Sequence, residues 1–124
     1  AGMPPVPEPE PNSGLRNAAS AAFAAAVAAV DPARLVAARL ERDGDHARIA
    51  AGGRVRRWPL PLTIVAAGKP AAAMAAGCGA VLGDGAVRGV AVTADGCERP
   101  VAGVRVYAAG HPLPDTRGVA AAAA

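Results

Sequence analysis

The sequence predicts an α/β fold: a Rossmann-like parallel sheet with helices on both faces, incomplete at its C-terminus. Three observations carry that expectation. Leu62–Ala67 (LTIVAA) is a short, uninterrupted apolar run with β-branched residues, the pattern of a strand buried on both faces of a parallel sheet. An alanine-rich helical stretch follows it at once. Two more strand-like runs come next, Val87–Thr93 and Val104–Ala109, and a helical segment closes the chain. Strand, helix, strand, strand, helix is the order of a layered α/β sheet.

Taken in order, residues 1–13 are rich in Pro and Glu with no apolar period, and read as a disordered leader. Residues 14–124 read as one partial domain. Leu15–Val30 is mostly alanine, the best helix former, with Leu15, Phe23 and Val30 on one stripe. Ser13 or Asn12 is placed to cap it. Asp31-Pro32 restarts a helix as N-cap and first helical residue, and that helix is expected to carry Leu35, Val36 and Leu40 and end near Gly44. His46–Ala51 and Arg54–Trp58, joined by Gly52-Gly53, read as a hairpin ended by Pro59 and Pro61. After strand 62–67, Pro70 suits the first turn of a helix over 71–82. Gly83-Asp84-Gly85 breaks the chain, Asp95-Gly96 turns it, and Gly110–Asp115 is a loop before a helix over Arg117–Ala124. That helix has no C-cap, and about two turns are marginal alone, so the expectation is a chain truncated within its domain.

Composition sets limits. The 124 residues are 52% apolar but 2% aromatic, and much of the apolar share is alanine, whose methyl removes little area from water. No apolar run reaches the length of a membrane span, and no signal peptide pattern opens the chain. Cys78 and Cys97 fit neither a CxxC pair nor a zinc spacing, and read as reduced thiols of a cytoplasmic protein. A net charge of +3, dispersed along the chain, argues against a nucleic acid partner. Of the 13 basic residues, all are arginine except Lys69. Under a bias that favours arginine at generic surface positions, one retained lysine marks a place that needs an amine.

Two segments are candidates for chemistry. The first is Gly68-Lys69 after strand 62–67, because ligands of open α/β sheets sit beyond the carboxyl ends of the strands. Gly68 permits close approach, the following helix start favours anions, and Lys69 adds a point charge suited to phosphate or carboxylate. It is not a P-loop, which requires glycine at Thr63 and Ser or Thr at Pro70. Nor is Gly77-Cys78-Gly79 a dinucleotide fingerprint, since Leu82 stands at the third glycine position. The bland reading is an αβ turn with an exposed lysine. The second is Gly110-His111-Pro112-Leu113-Pro114-Asp115, where two prolines stiffen a loop presenting His111 and Asp115. His111 can donate to an oxyanion or transfer a proton, and a backbone-bonded loop histidine is the alternative. Asp115 can hold a hydroxyl or cap the next helix, and capping is the stronger alternative. No metal ligand set is evident.

The strings LRNAASAAFAAAVAAVDPARLV, IVAAGKPAAAMA, VAVTADG and AAGHPLPDTRGVAAA resemble the N-terminal part of the glycerate 2-kinase family, some members of which carry the label hydroxypyruvate reductase. The resemblance implies transfer of the ATP γ-phosphate to the 2-hydroxyl of D-glycerate with Mg²⁺, by a Rossmann-like domain facing a smaller C-terminal domain. It implies a catalytic Lys69, with Gly68, His111, Pro112 and Asp115 near the substrate, and a homodimer as an allowed assembly. Pro70 stands where the family usually has alanine, which removes one amide from any anion nest. The family's nucleotide loop and C-terminal domain have no counterpart before residue 124, so the chain alone is expected to be inactive. The alternative is a standalone α/β anion-binding module. A hydride-transferring reductase is disfavoured by the missing fingerprint.

Overall fold

The computed structural model describes residues 12–124. The expected leader therefore lies outside the described residues as far as position 11. Ten elements follow: α1 (Ser13–Ala29), α2 (Pro32–Ala37), β1 (Leu40–Asp43), β2 (His46–Ala51), β3 (Arg54–Pro59), β4 (Leu62–Ala67), α3 (Ala71–Leu82), β5 (Val87–Ala94), β6 (Val104–Ala109) and α4 (Thr116–Ala122).

The described chain divides into two compact units, one ending at Asp31 and one of residues 32–124. In the first, α1 starts two residues before the expected Leu15, and the expected side-chain cap is not made. Asn12 is the capping residue with φ 99°, and its side chain forms no cap hydrogen bond.

In the second unit the helix expected from Pro32 to Gly44 stops at Ala37, and Leu40–Asp43 is a strand instead. The cause is the segment Asp43-Gly44-Asp45-His46, a two-residue hairpin turn with φ 62° at Gly44. It folds β1 back onto β2 with Leu40 opposite Ile49 and Asp43 opposite His46. Helical spacing of Leu35, Val36 and Leu40 is weaker than a turn that places Leu40 in the core. The hairpin β2–β3 forms as expected through Gly52-Gly53, so β1-β2-β3 is an antiparallel meander.

The second sheet is the expected parallel one. Its order is β4-β5-β6, with Val65 beside Val90 and Ala91 beside Val106. Side chains alternate between the two faces of a strand. Leu62, Ile64, Ala66, Ala91 and Val106 belong to one core cluster with Ala71, Cys78 and Leu82 of α3. Ala109 faces the other way, 3.7 Å from the position a Cβ would take at Gly118 of α4. Helices therefore lie on both faces, α3 on one and α4 on the other.

Nine of the thirteen buried apolar side chains among the described residues are alanine, and Leu82 is the one large side chain fully buried. So small a set of side chains leaves cohesion to close backbone approach. A Cβ at Gly77 in α3 would stand 2.5 Å from the Ala33 carbonyl oxygen of α2. At Gly89, which has φ +139°, it would stand 1.9 Å from the Ile64 oxygen of β4. Arg42 ties the meander to the end of α3, donating to the Leu82 carbonyl at 2.5 Å.

Gly77→Ala and Gly79→Ala should part company although they are two residues apart. Gly77→Ala forces α2 off α3 and should cost about 2–3 kcal/mol. Gly79 has open space around it, so its alanine variant should gain about 0.5–1 kcal/mol in helix propensity. Thermal unfolding followed by circular dichroism reads both signs, and equal shifts would contradict the packing described.

Candidate functional site

Because β4, β5 and β6 run parallel, their carboxyl ends share one edge of the sheet. Three connections leave that edge: Gly68-Lys69-Pro70 after β4, Asp95-Gly96 after β5, and Gly110–Asp115 after β6. The structure thus places Gly68, Lys69, His111, Pro112 and Asp115 along one rim. Lys69 and His111 are one strand removed from each other, because β5 runs between β4 and β6. Two strand spacings amount to roughly 10 Å.

The first connection is held tightly at its backbone. The Gly68 amide donates to the Val92 carbonyl at 2.9 Å, and the Ala71 amide returns to the Gly68 carbonyl at 3.0 Å. Gly68 has φ +112°, a conformation that glycine adopts without steric cost. The Thr93 hydroxyl donates to the Lys69 carbonyl at 2.9 Å. The Lys69 side chain itself is exposed and meets no carboxylate among the described residues. Pro70 has no amide and that of Ala71 is used, so the start of α3 offers an anion fewer free donors than a helix N-terminus usually does.

The third connection is organised by Asp115. Its Oδ1 accepts the Arg117 and Gly118 amides at 3.1 and 3.3 Å and caps α4, while Oδ2 accepts the Gly110 amide at 3.1 Å. A Cβ at Gly110 would stand 2.7 Å from the Leu113 carbonyl oxygen, so the loop closes on itself only with glycine there. Arg117 then joins two connections. Its Nη1 and Nη2 donate to Oδ1 and Oδ2 of Asp95, both at 2.7 Å, and its Nε donates to Asp115 Oδ2 at 2.8 Å. The guanidinium beside Asp95 and Asp115 holds both carboxyls below the ordinary value of 3.8. Asp115 is thus committed to the cap, the loop and Arg117. His111 stands exposed on this braced loop, and the His111–Pro112 peptide is cis.

Sequence reasoning passed over three members of this edge. Asp95 reads as a turn residue, Arg117 as a first-turn helix residue, and Thr93 as an ordinary β-branched strand residue. No spacing rule joins Asp95 to Arg117, because their contact exists only once β5 and β6 are paired. The Asp-x-Arg pattern of Asp115 and Arg117 was the one available signal. His46 is bonded to Asp45 at 2.5 Å in the exposed β1–β2 turn, far in sequence from this edge. Arg48 and Arg57 pair with Glu41 and Asp43 on one side of the meander.

An apolar concavity of about 610 Å³ lies elsewhere. It runs along the open edge of β4 from Leu62 to Ala67, walled by Trp58, Met74 and Cys78, and is overwhelmingly apolar. Burial pushes the Cys78 thiol up from its ordinary range. Neither Lys69 nor His111 lines this groove. Among the described residues no group of three or more His, Cys, Asp or Glu could hold a metal ion, and no helix is long and apolar enough to cross a membrane.

Residues 18–124 match the family described as "Domain of unknown function (DUF4147)". The chain is also similar to a solved structure, the PH0495 protein from Pyrococcus horikoshii OT3. The identity is 27% and the TM-score 0.62, over 88% of this chain and 24% of that one. This chain thus spans about a quarter of the length of the protein whose structure it matches. No curated protein sequence matches it.

Arg117 yields a pH prediction. The folded-state carboxyls of Asp95 and Asp115 titrate below their unfolded values, so their contribution is fully present above about pH 4 and is lost as pH falls through the depressed folded values. Arg117→Ala should lower stability in the neutral region, where that contribution is fully present, and so flatten the acid limb, the two chains converging at low pH. Acid titrations of both chains by circular dichroism measure this, and superimposable acid limbs would refute the clamp.

Proposed function

The chain belongs to the DUF4147 family, and from that membership and the geometry of the Lys69 edge we propose that it forms the N-terminal part of a glycerate 2-kinase-like phosphotransferase. One observation carries the reading. The chain's single lysine stands exposed and, among the described residues, without a counter-charge at the carboxyl end of a parallel strand, where open α/β sheets bind ligands.

A mobile point charge suits phosphate, and a phosphoryl group in transfer gathers negative charge on its oxygens. The ammonium of Lys69 would neutralise that charge without reorganisation if its backbone is fixed. Across roughly 10 Å, His111 would donate to the carboxylate of a three-carbon hydroxy acid, with Gly68 and Pro112 shaping the wall. Asp115 serves by holding the His111 loop in place. The position of α4 adds support. A right-handed crossover carried by a helix on the face opposite α3 would lay a further parallel strand along the open edge of β4. Gly68-Lys69 would then stand at the point where strand order reverses, the favoured binding crevice of doubly wound sheets.

ATP and Mg²⁺ enter through the family resemblance. When bound, the ion would share the charge of the phosphates. The residues described here do not fit a Mg²⁺ ion, since Asp95 and Asp115, the carboxylates of this edge, are both taken by Arg117. The alternative of a standalone anion-binding module draws on residues 32–124 being a compact unit with its own core.

Two measurements test the proposal. In ¹⁵N-edited NMR titrations, inorganic phosphate should shift the amides of residues 68–73 in this chain, and Lys69→Ala should weaken that response at least tenfold. The chain alone should not phosphorylate D-glycerate. A polypeptide carrying this segment with the remainder of a longer family member should do so, and Lys69→Ala there should lower turnover about 10²–10³-fold, as loss of one charge-stabilising group does. Near-normal turnover in that variant would sink the assignment. Phosphate binding without turnover in the longer protein would favour the module.

A further inference from the structure

We propose that Thr93 is a positioning residue for Lys69. Its hydroxyl holds the Lys69 carbonyl against the end of β5, and so fixes where the lysine backbone stands relative to the bound anion. The inference rests on the anion-site reading above.

Thr93 is the only buried polar side chain among the described residues, at 2% exposure. A buried hydroxyl is costly unless bonded, and valine would fill the same volume at a position flanked by Val92 and Ala94. Among the described residues the hydroxyl makes the 2.9 Å bond to the Lys69 carbonyl, 24 residues away in sequence. Among the described residues no other side chain hydrogen-bonds to this turn. Gly68 brings the least constrained backbone of any residue and Pro70 brings no amide. The remaining ties are backbone bonds at its two ends, from Gly68 to Val92 and from Ala71 to Gly68. Between them, the Thr93 hydroxyl is the side-chain group that bonds the Lys69 carbonyl.

That orientation bears directly on an anion. A carbonyl turned inward onto β5 keeps its negative end away from the rim, while the lysine side chain leaves on the outer side. Without the hydroxyl, the carbonyl has to find water. The peptide then rotates outward and brings a partial negative charge to the place where phosphate is to bind. A loosened backbone also spreads the ammonium over more positions, which erodes the preorganisation that makes a fixed charge effective.

The test compares phosphate titrations of the unmodified chain, Thr93→Val and Thr93→Ser by ¹⁵N-edited NMR, read at residues 68–73. Thr93→Val should weaken phosphate binding about tenfold. Thr93→Ser keeps the donor and should bind within about twofold of the unmodified chain, a rescue that loss of packing alone does not predict. The Thr93→Val spectrum should also show the Lys69 carbonyl ¹³C resonance moved and the core resonances of Leu82 and Ala91 in place. If the unmodified chain and Thr93→Val bind equally, Thr93 is not a positioning residue and the anion site stands. If Thr93→Val fails to fold, Thr93→Ser decides: a tenfold loss there overturns the proposal, and retained affinity with an unmoved Lys69 carbonyl resonance supports it. No response to phosphate in the unmodified chain overturns the anion-site reading and this inference together.

Discussion

Gly77 lets the first turn of α2 rest directly on α3, and Gly89 lets β5 pass the Ile64 carbonyl of β4 with no room for a methyl group. Everything else in residues 32–124 depends on approaches of this kind. With alanine supplying most of the buried apolar side chains, there are few large ones to bridge a gap between elements. Dispersion falls off steeply with distance, so a core of methyl groups coheres only where backbones nearly touch. The same constraint sets the sheet rigidly against α3, and α3 is the helix whose first turn follows Lys69.

Rigidity at the carboxyl edge comes from a different source. There the side chains are polar, and three connections are braced by hydrogen bonds that cross between strands. Arg117 is the hinge of that bracing, because one guanidinium reaches Asp95 after β5 and Asp115 after β6. A planar fork with five donors can do this where a lysine could not. The edge therefore divides its charges by task. Arginine is used where fixed geometry is needed, and the single lysine is left exposed with its turn fastened from behind. An exposed cation on a fastened backbone is the arrangement expected of a residue that meets a ligand.

The apolar groove along β4 shows a further division. It is a sizeable concavity, yet it lies beside the strand and not beyond its end. Its wall is the unpaired edge of a parallel strand, a kind of edge that soluble proteins ordinarily cover. Val65 is 82% exposed there, and β4 alternates half-buried with exposed residues, so the burial on both faces expected from its apolar run is not met among the described residues. The groove and the Lys69 rim are separate features of one strand: the first lies along its edge, the second beyond its end.

Much of this was legible in the residues themselves. The apolar run LTIVAA, the helix 71–82 and the two following strands announce a parallel sheet, because buried strands and alanine helices differ in period and in branching. The glycine pair at 52 and 53 announces its hairpin, and Gly68-Lys69 and the proline-stiffened loop stand out as local chemistry. Two local signals in competition misled the reading at Leu40: apolar helical spacing pointed one way, Asp43-Gly44-Asp45 the other, and burial of Leu40 beside α3 decided for the strand. The remainder belongs to tertiary structure alone. Only pairing of β5 with β6 brings Asp95 to Arg117, and only pairing of β4 with β5 sets Thr93 under Lys69. Contacts across strands join residues more than twenty positions apart, and no local pattern of side chains encodes a distance that the sheet itself has to create.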